Sequence, residues 1–428
     1  MRKLLFTAFV AAFSVAINAQ NVKEQLESNY DKAGSNYFVY PSPTKPLTPA
    51  PKGKKAFYIS HYGRHGSRYL IHHREYDYPM ATLEMAERDG KLSEIGKLVL
   101  KHVKMLHAES ENRLGELTPL GAEQHRQIAR RMYERFPEVF KDDVCVDAKS
   151  TVVIRCIISM DNALRQLAAL NPKLRIKSDA SEHDMYYMNL QDRKLWMEKW
   201  PKRAKEAYQA YCNKHARHEK PMLRLFNDSA YAWKNVNLYR LNMSVFKLAS
   251  SLQGTELGKK VSIFRDLYTS DELYHNWLQG NAFWYIAYGA CPLNGGEQPF
   301  SQRNLLRRII SEADSCLALP RPGATLRFGH ETIVLPLACL LGINGFDQQV
   351  ENLEDLEARG WINFDVYPMA CNIQFVFYRK DPKDKDVLVK VLHNEHEATL
   401  PVPTDCAPYY HWSDFKEYYL KKLDTYRE

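Results

Sequence analysis

The sequence predicts an α/β fold: a mostly parallel sheet with flanking helices, interrupted by an inserted all-α domain. Three observations predict it. Ala56-Phe57-Tyr58-Ile59-Ser60 is a continuous run that stops at a glycine-rich turn, the pattern of a strand buried on both faces of a parallel sheet. Residues 183–300 lose strand texture and become helical and rich in Tyr and Trp. Strand texture returns at 324–328, 373–378 and 387–392. Strand–helix–strand, helical block, strand–helix–strand is the order of an α/β core with a helical insertion.

Along the chain, residues 1–19 read as a signal peptide. Arg2 and Lys3 precede an apolar run from Leu4 to Ile17 that is short for a bilayer span, and Ala19-Gln20 offers a small-residue cleavage point. Gln20 is not cysteine, so a lipoprotein anchor is not expected. Residues 20–55 are polar and carry five prolines between 41 and 51, which predicts an extended N-terminal lead-in. The catalytic core is expected at 56–182 and 301–428, and the inserted helical domain at 183–300. Thr118 caps and Pro119 opens a helix whose Leu120, Ile128, Met132 and Phe136 fall on one face. Val144-Cys145-Val146 and Val152-Val153-Ile154 read as strand pieces, 161–170 as a helix and Leu174-Arg175-Ile176 as another short strand. The strand at 387–392 is expected to form a hairpin with 398–402.

The 428 residues are 45% hydrophobic and 26% charged, ordinary globular composition. The formal charge of +8, about +6 without Arg2 and Lys3, suits a small anionic substrate. No dense Lys/Arg stripe with interleaved aromatics points to nucleic acid. No stretch beyond the leader is long and apolar enough to predict membrane insertion. The eight cysteines include no CxxC pair, so no zinc site is expected; they are either disulfide partners or small buried hydrophobes. Oligomeric state and disulfide pattern are not legible.

The chemistry concentrates in His61-Tyr62-Gly63-Arg64-His65-Gly66-Ser67-Arg68, directly after the predicted buried strand. Ligands of parallel sheets bind beyond the carboxyl ends of strands. Arginine forks match phosphate oxygens, and Gly66 lets the backbone come close to a ligand. Like charge from the arginines should depress the pKa of His65, and a neutral imidazole is a nucleophile.

This stretch resembles the Arg-His-Gly-x-Arg motif of the histidine phosphatase superfamily, in its acid phosphatase and phytase branch. Leu117-Thr118-Pro119-Leu120-Gly121 with Gln124 is similar to that branch's Leu-Thr-x-x-Gly-x-x-Gln helix start. Ser150-Thr151 with Arg155 and Ser159 resembles the region supplying its third phosphate-binding arginine. Phe328-Gly329-His330-Glu331-Thr332 resembles its second motif. The four occur in family order over about 270 residues. The resemblance implies that His65 attacks phosphorus, that Arg64, Arg68 and Arg155 grip the phosphoryl oxygens, that His330 supports them, and that Glu331 protonates the leaving alkoxide. It implies no metal and no cofactor. Leu70 stands where many members have proline. The second motif departs further: acid phosphatases carry His-Asp, the multiple inositol polyphosphate phosphatase branch carries His-Ala-Glu-Thr, and this chain has His330-Glu331-Thr332. One position at a helix start turns a side chain by about 100°, which leaves the reach of Glu331 open. Ser67-Arg68-Tyr69 and the Trp- and Tyr-rich stretch from Trp277 to Tyr288 resemble the inositol polyphosphate branch.

The expectation is therefore an exported phosphomonoester hydrolase acting through a phosphohistidine, with phytate-like inositol polyphosphates as substrate. A broad acid or sugar phosphatase is the alternative on the same fold. A phosphate-ligand binding protein that has lost turnover is the alternative of another class. A mutase-like phosphoryl transfer shares the first motif, but the leader and the helical block disfavour it. Each residue also has a plainer reading: a structural ion pair for Arg155, a satisfied buried histidine for His330, a helix N-terminal carboxylate for Glu331. His393-Asn394-Glu395-His396 sits at the expected hairpin tip and is read as a turn, not a metal site. His72-His73-Arg74 and the basic residues between Lys202 and Lys220 read as surface, with contact to outer phosphates left open.

Overall fold

In the computed structural model, which describes residues 21–189 and 192–427, an eight-stranded mixed sheet forms the centre. The expected leader lies outside the described residues. The strands are β1 (Lys55–Arg64), β2 (Cys145–Ser150), β3 (Arg175–Ala180), β4 (Gly323–Gly329), β5 (Asn372–Arg379), β6 (Leu388–His393), β7 (His396–Glu397) and β8 (Tyr410–His411). Their order is β3-β2-β4-β1-β5-β6-β7, with β8 also on β6. β1 runs parallel to β4, which runs parallel to β2, while β5 joins the other edge of β1 antiparallel.

The register brings the motifs together. Arg64 pairs with Gly329 and Ser150 with Phe328, so the carboxyl ends of β1, β2 and β4 lie side by side. Motifs far apart in sequence share one end of the sheet for that reason. β1 is buried along almost its whole length, as its continuous apolar pattern requires.

Helices α2 (Arg74–Arg88), α3 (Glu94–Ser110) and α4 (Pro119–Arg135) lie between β1 and β2, and α5 (Ile154–Leu170) links β2 to β3. Thr118 caps α4 as expected: its hydroxyl accepts from Gly121 N–H, with Pro119 in the first turn. Among the described residues, 183–300 contain no strand. Their buried side chains, including Leu241, Leu273 and Trp277, belong to the same hydrophobic cluster as Phe375 and Phe377 of β5.

Three expectations are corrected. Residues 20–55 are not extended throughout: α1 (Val22–Ser28) and a 3-10 segment (Tyr30–Tyr37) precede the proline stretch. Val22, Leu26, Ala33 and Tyr37 are buried in the main cluster, so this segment is packed structure. Val152-Val153-Ile154 is no strand, because α5 begins at Ile154; both Val152 and Ile154 are exposed there, so tertiary placement overrides β-branched propensity. The hairpin is also shorter than expected. β6 pairs with His396–Glu397 and then with β8, while Thr399 and Leu400 turn away to bond Asn344 and the Tyr410 hydroxyl.

Candidate active site

His65 sits on the loop leaving β1 and is held on both sides by backbone. Its N–H donates to Gly329 O of β4 at 2.9 Å, and its own carbonyl accepts from Ala370 N–H at 3.1 Å. The imidazole Nδ1 lies 2.8 Å from Gly66 O. A carbonyl can only accept, so the ring proton belongs on Nδ1 and the lone pair on Nε2. Nε2 is buried and has no hydrogen-bond partner. The ring is held neutral: burial is the larger cause, and Arg64, Arg155, Arg68 and His330 push in the same direction. Like charge, the cause expected from sequence, contributes second.

The loop is braced by α4. Ser67 N–H donates to Gln124 Oε1 at 2.8 Å, Gln124 Nε2 donates to Ser67 Oγ at 3.0 Å, and the Thr118 hydroxyl donates to Ser67 O at 3.1 Å. A Cβ on Gly66 would sit 2.3 Å from Gly121 O, so the glycine is required by close approach of the helix start.

Three guanidinium nitrogens join Nε2 as buried groups without a partner, Arg64 Nε, Arg68 Nε and Arg155 Nε, while Arg64 Nη2 is engaged only by the Glu331 carboxylate. Leaving one such donor unsatisfied costs about 1–3 kcal/mol, more for a charged group. A phosphoryl group, with its several oxygens, would satisfy them together. Arg64 is fixed by Nη1 donating to Asn36 O at 2.6 Å and Tyr367 O at 3.1 Å. Arg68 donates to Tyr69 O at 3.0 Å and stacks over the Tyr37 ring.

His330 ends β4 and faces His65, with ring centroids 5.8 Å apart. Its Nε2 lies 3.2 Å from the Thr151 hydroxyl. Burial lowers its pKa to about 4; Glu331 opposes that shift, and Arg155, Arg64 and Arg68 add to it. Glu331 opens the next helix, Glu331–Leu341, and points into the site. Its Oε1 is 3.1 Å from Arg64 Nη2 and accepts from Asn36 Nδ2 at 3.3 Å, while Oε2 is 3.8 Å from His65 Nε2. The direction left open by sequence is thus resolved towards the site. Burial alone would raise this carboxyl, but Arg64, Arg68 and His330 hold it at about 2.

All six residues singled out from sequence therefore gather around one point. Thr151, which orients His330, lay within the Ser150–Ser159 motif without a role of its own, and Asn36 and Tyr367, which hold Arg64, belonged to no motif. Lys199 was missed as well. A cleft of about 320 Å³ opens from His330 and Thr332 past Lys199, Tyr288, Ser301 and Gln302. The Lys199 ammonium lies 3.8 Å from the Tyr288 ring centre, has no ion-pair partner among the described residues, and is lowered to about 8 by burial. A larger cavity of about 410 Å³ near Asp31 and His102 lies away from these groups.

The His393–His396 turn behaves as expected. Asn394 and Glu395 have positive φ, His393 Nε2 bonds Val366 O, and Glu395 takes Arg131 and Arg135. All eight cysteines are unpaired.

A sequence profile described as histidine phosphatase superfamily (branch 2) matches residues 63–394, and the chain belongs to that family, a class of phosphomonoester hydrolases. Among solved structures, the fold is similar to the multiple inositol polyphosphate phosphatase of Bifidobacterium longum. In complex with inositol hexasulfate that structure gives a TM-score of 0.76 at 19% identity, covering 90% of this chain and 97% of that one. The phytase from D. castellii gives 0.64 at 12% identity, covering 92% and 85%. The Hafnia alvei phytase with myo-inositol hexakis sulphate gives 0.52 at 15% identity, covering 89% and 98%. No curated protein matches in a sequence search. No helix among the described residues is long and apolar enough to cross a membrane.

Proposed function

We propose that this protein hydrolyses phosphate monoesters in two steps through a phosphorylated His65, with inositol polyphosphates such as phytate as its substrate class. The observation that carries the reading is the unpartnered Nε2 of a buried, neutral His65 beside three unpartnered guanidinium nitrogens, Arg64 Nε, Arg68 Nε and Arg155 Nε.

In the first step Nε2 attacks phosphorus as the ester P–O bond breaks, and the proton on Glu331 Oε2 goes to the departing alkoxide. Arg64, Arg68 and Arg155 hold the equatorial oxygens, and His330 lends a further contact. In the second step the Glu331 carboxylate takes a proton from water, water oxygen bonds to phosphorus, the P–N bond breaks and inorganic phosphate leaves. Glu331 must be protonated for the first step although Arg64, Arg68 and His330 hold its pKa at about 2. A bound phosphate dianion spends the charge of Arg64 and Arg68 on its own oxygens and repels a neighbouring carboxylate, both of which raise the Glu331 pKa. Binding is thus linked to protonation of Glu331.

The polyphosphate reading rests on Lys199. A lone ammonium in the cleft next to His330 suits a second phosphate on the same ring. Phosphate release from phytate, glucose 1-phosphate and p-nitrophenyl phosphate, with chelator present, tests it. Phytate should be preferred, and Lys199→Ala should raise its KM about tenfold, or about 1.4 kcal/mol, while leaving p-nitrophenyl phosphate within about twofold. Turnover of simple esters alone would favour a general acid phosphatase. No release from any would favour a binding protein.

Export is proposed from Arg2, Lys3 and the apolar run that follows them. N-terminal sequencing of the product tests it: a start near Gln20 supports export and a start at Met1 contradicts it.

A further inference from the structure

At the end of the sheet opposite the arginine loop, side chains of three ligand types meet. β1 starts there at Lys55, and the preceding Lys54 pairs with Asp384 and Asp386. Beside them Asp405, Cys406 and His411 place their ligand atoms within 4.8 Å of one another. His411 Nε2 is 3.1 Å from Asp405 Oδ1 and 3.9 Å from Cys406 Sγ. Zinc bonds of about 2.0 Å to nitrogen and oxygen and about 2.3 Å to sulfur set tetrahedral ligand–ligand edges of about 3.3–3.5 Å. The two edges here bracket that range before any ion is added.

The orientation of His411 fits as well. Its Nδ1 lies 2.7 Å from Asp386 Oδ1, so a carboxylate behind the ring accepts a hydrogen bond from Nδ1–H while Nε2 faces Asp405 and Cys406. The loop is short and preformed. Four residues separate Cys406 from His411 along the chain, and the Thr404 hydroxyl donates to Tyr409 O and accepts from Cys406 N–H. Local charge is acidic: Asp384, Asp386 and Asp405 pair with Lys54 and His411, and Arg379 acts on Asp384 from further off. His65, His330 and Glu331 are spaced as closely, but Arg64, Arg68 and Arg155 surround them and repel a cation.

We propose that Asp405, Cys406 and His411 form a site for a borderline-soft divalent cation of the zinc class, with solvent completing the coordination. The ion would cross-link the start of the 405–411 loop to β8. It is separate from the phosphatase chemistry. Cys406 would bind as the thiolate and His411 through an unprotonated Nε2, so binding releases protons.

The test uses the full chain in phosphate-free buffer at pH 7.5, titrated with Co(II) as a spectroscopic probe and with Zn(II). One equivalent of Co(II) should give a thiolate-to-metal absorption band that is absent in Cys406→Ser. Zn(II) should raise the Tm of the parent but not of Cys406→Ser or His411→Ala. Asp386→Asn should weaken binding about 10–100-fold. Hydrolysis of p-nitrophenyl phosphate should be unchanged in all three variants. No thiolate band, a band that persists in Cys406→Ser, or an unmoved Tm would each overturn the proposal and leave His411 as a hydrogen-bonded bridge between two aspartates.

Discussion

Glu331 divides its two oxygens between two tasks. Oε1 is tethered by Arg64 and Asn36, while Oε2 faces the nucleophile, where the leaving oxygen must pass. Replacing Glu331 with Gln keeps the tether and removes the transferable proton. Hydrolysis of phytate should fall about 10²–10⁴-fold, and that of p-nitrophenyl phosphate, whose leaving group needs little protonation, less than about tenfold. Equal losses on both would remove Glu331 from the acid role. The reacting residues were legible in the sequence because their chemistry is contiguous: Arg64, His65 and Arg68 lie within five residues, and His330-Glu331 adjoin. Asn36 and Lys199 were not legible. Asn36 lies 295 residues from Glu331, and a lone Lys or Asn has no spacing that reveals what it will face.

The loop after β1 works only because α4 begins against it. Gly66 and Gly121 allow the two backbones to touch, and a Cβ on Gly121 would meet Ser67 O at 2.2 Å. Gly66→Ala must push α4 and the loop apart. We expect at least the usual overpacking cost of about 1–3 kcal/mol, and a loss of kcat larger than the loss of Tm would suggest, since His65 shifts with its loop. Parental Tm and kcat in Gly66→Ala would contradict this account of the contact. The start of α4 was readable from Thr118-Pro119 because capping is local chemistry. The start of α5 was not, since Val152-Val153-Ile154 favours a strand until β2 ends at Ser150 and the chain turns into the site. The burial of Val22–Tyr37 was equally hidden: its partners lie far along the chain and prolines follow it.

Acid should destabilise the whole molecule. His61 is lowered to about 3 by burial, with help from His125 and Arg327; His125 and His393 are lowered to about 4 by burial, opposed at each by one backbone hydrogen bond and helped at His393 by His396; His330 is also near 4. Unfolded, each titrates near its ordinary value of about 6.5. Between those limits the unfolded chain binds more protons than the folded one, so stability is full above about pH 6.5 and falls as pH drops towards 4. Glu331, depressed in the fold, adds a loss in the same direction below its ordinary value. Tm should drop by several degrees between pH 7 and pH 4.5, and saturating phosphate should offset part of it by binding only the folded state. A flat or rising Tm on acidification would contradict the neutral burial of these histidines. The buried strand β1, the strand positions that follow it and the strand-free run from 183 to 300 are where sequence pattern and structure agree most closely, because burial periodicity is set by neighbours along the chain.

Trapping the covalent intermediate tests the central claim most directly. Rapid mixing with substrate, a denaturing quench that preserves phosphohistidine, and peptide mass spectrometry would locate the phosphoryl group. The account predicts one phosphoryl group per chain on the peptide containing His65, lost on acid treatment and absent from a folded His65→Ala variant that also lacks turnover. Phosphorylation elsewhere, or turnover retained in His65→Ala, would contradict it.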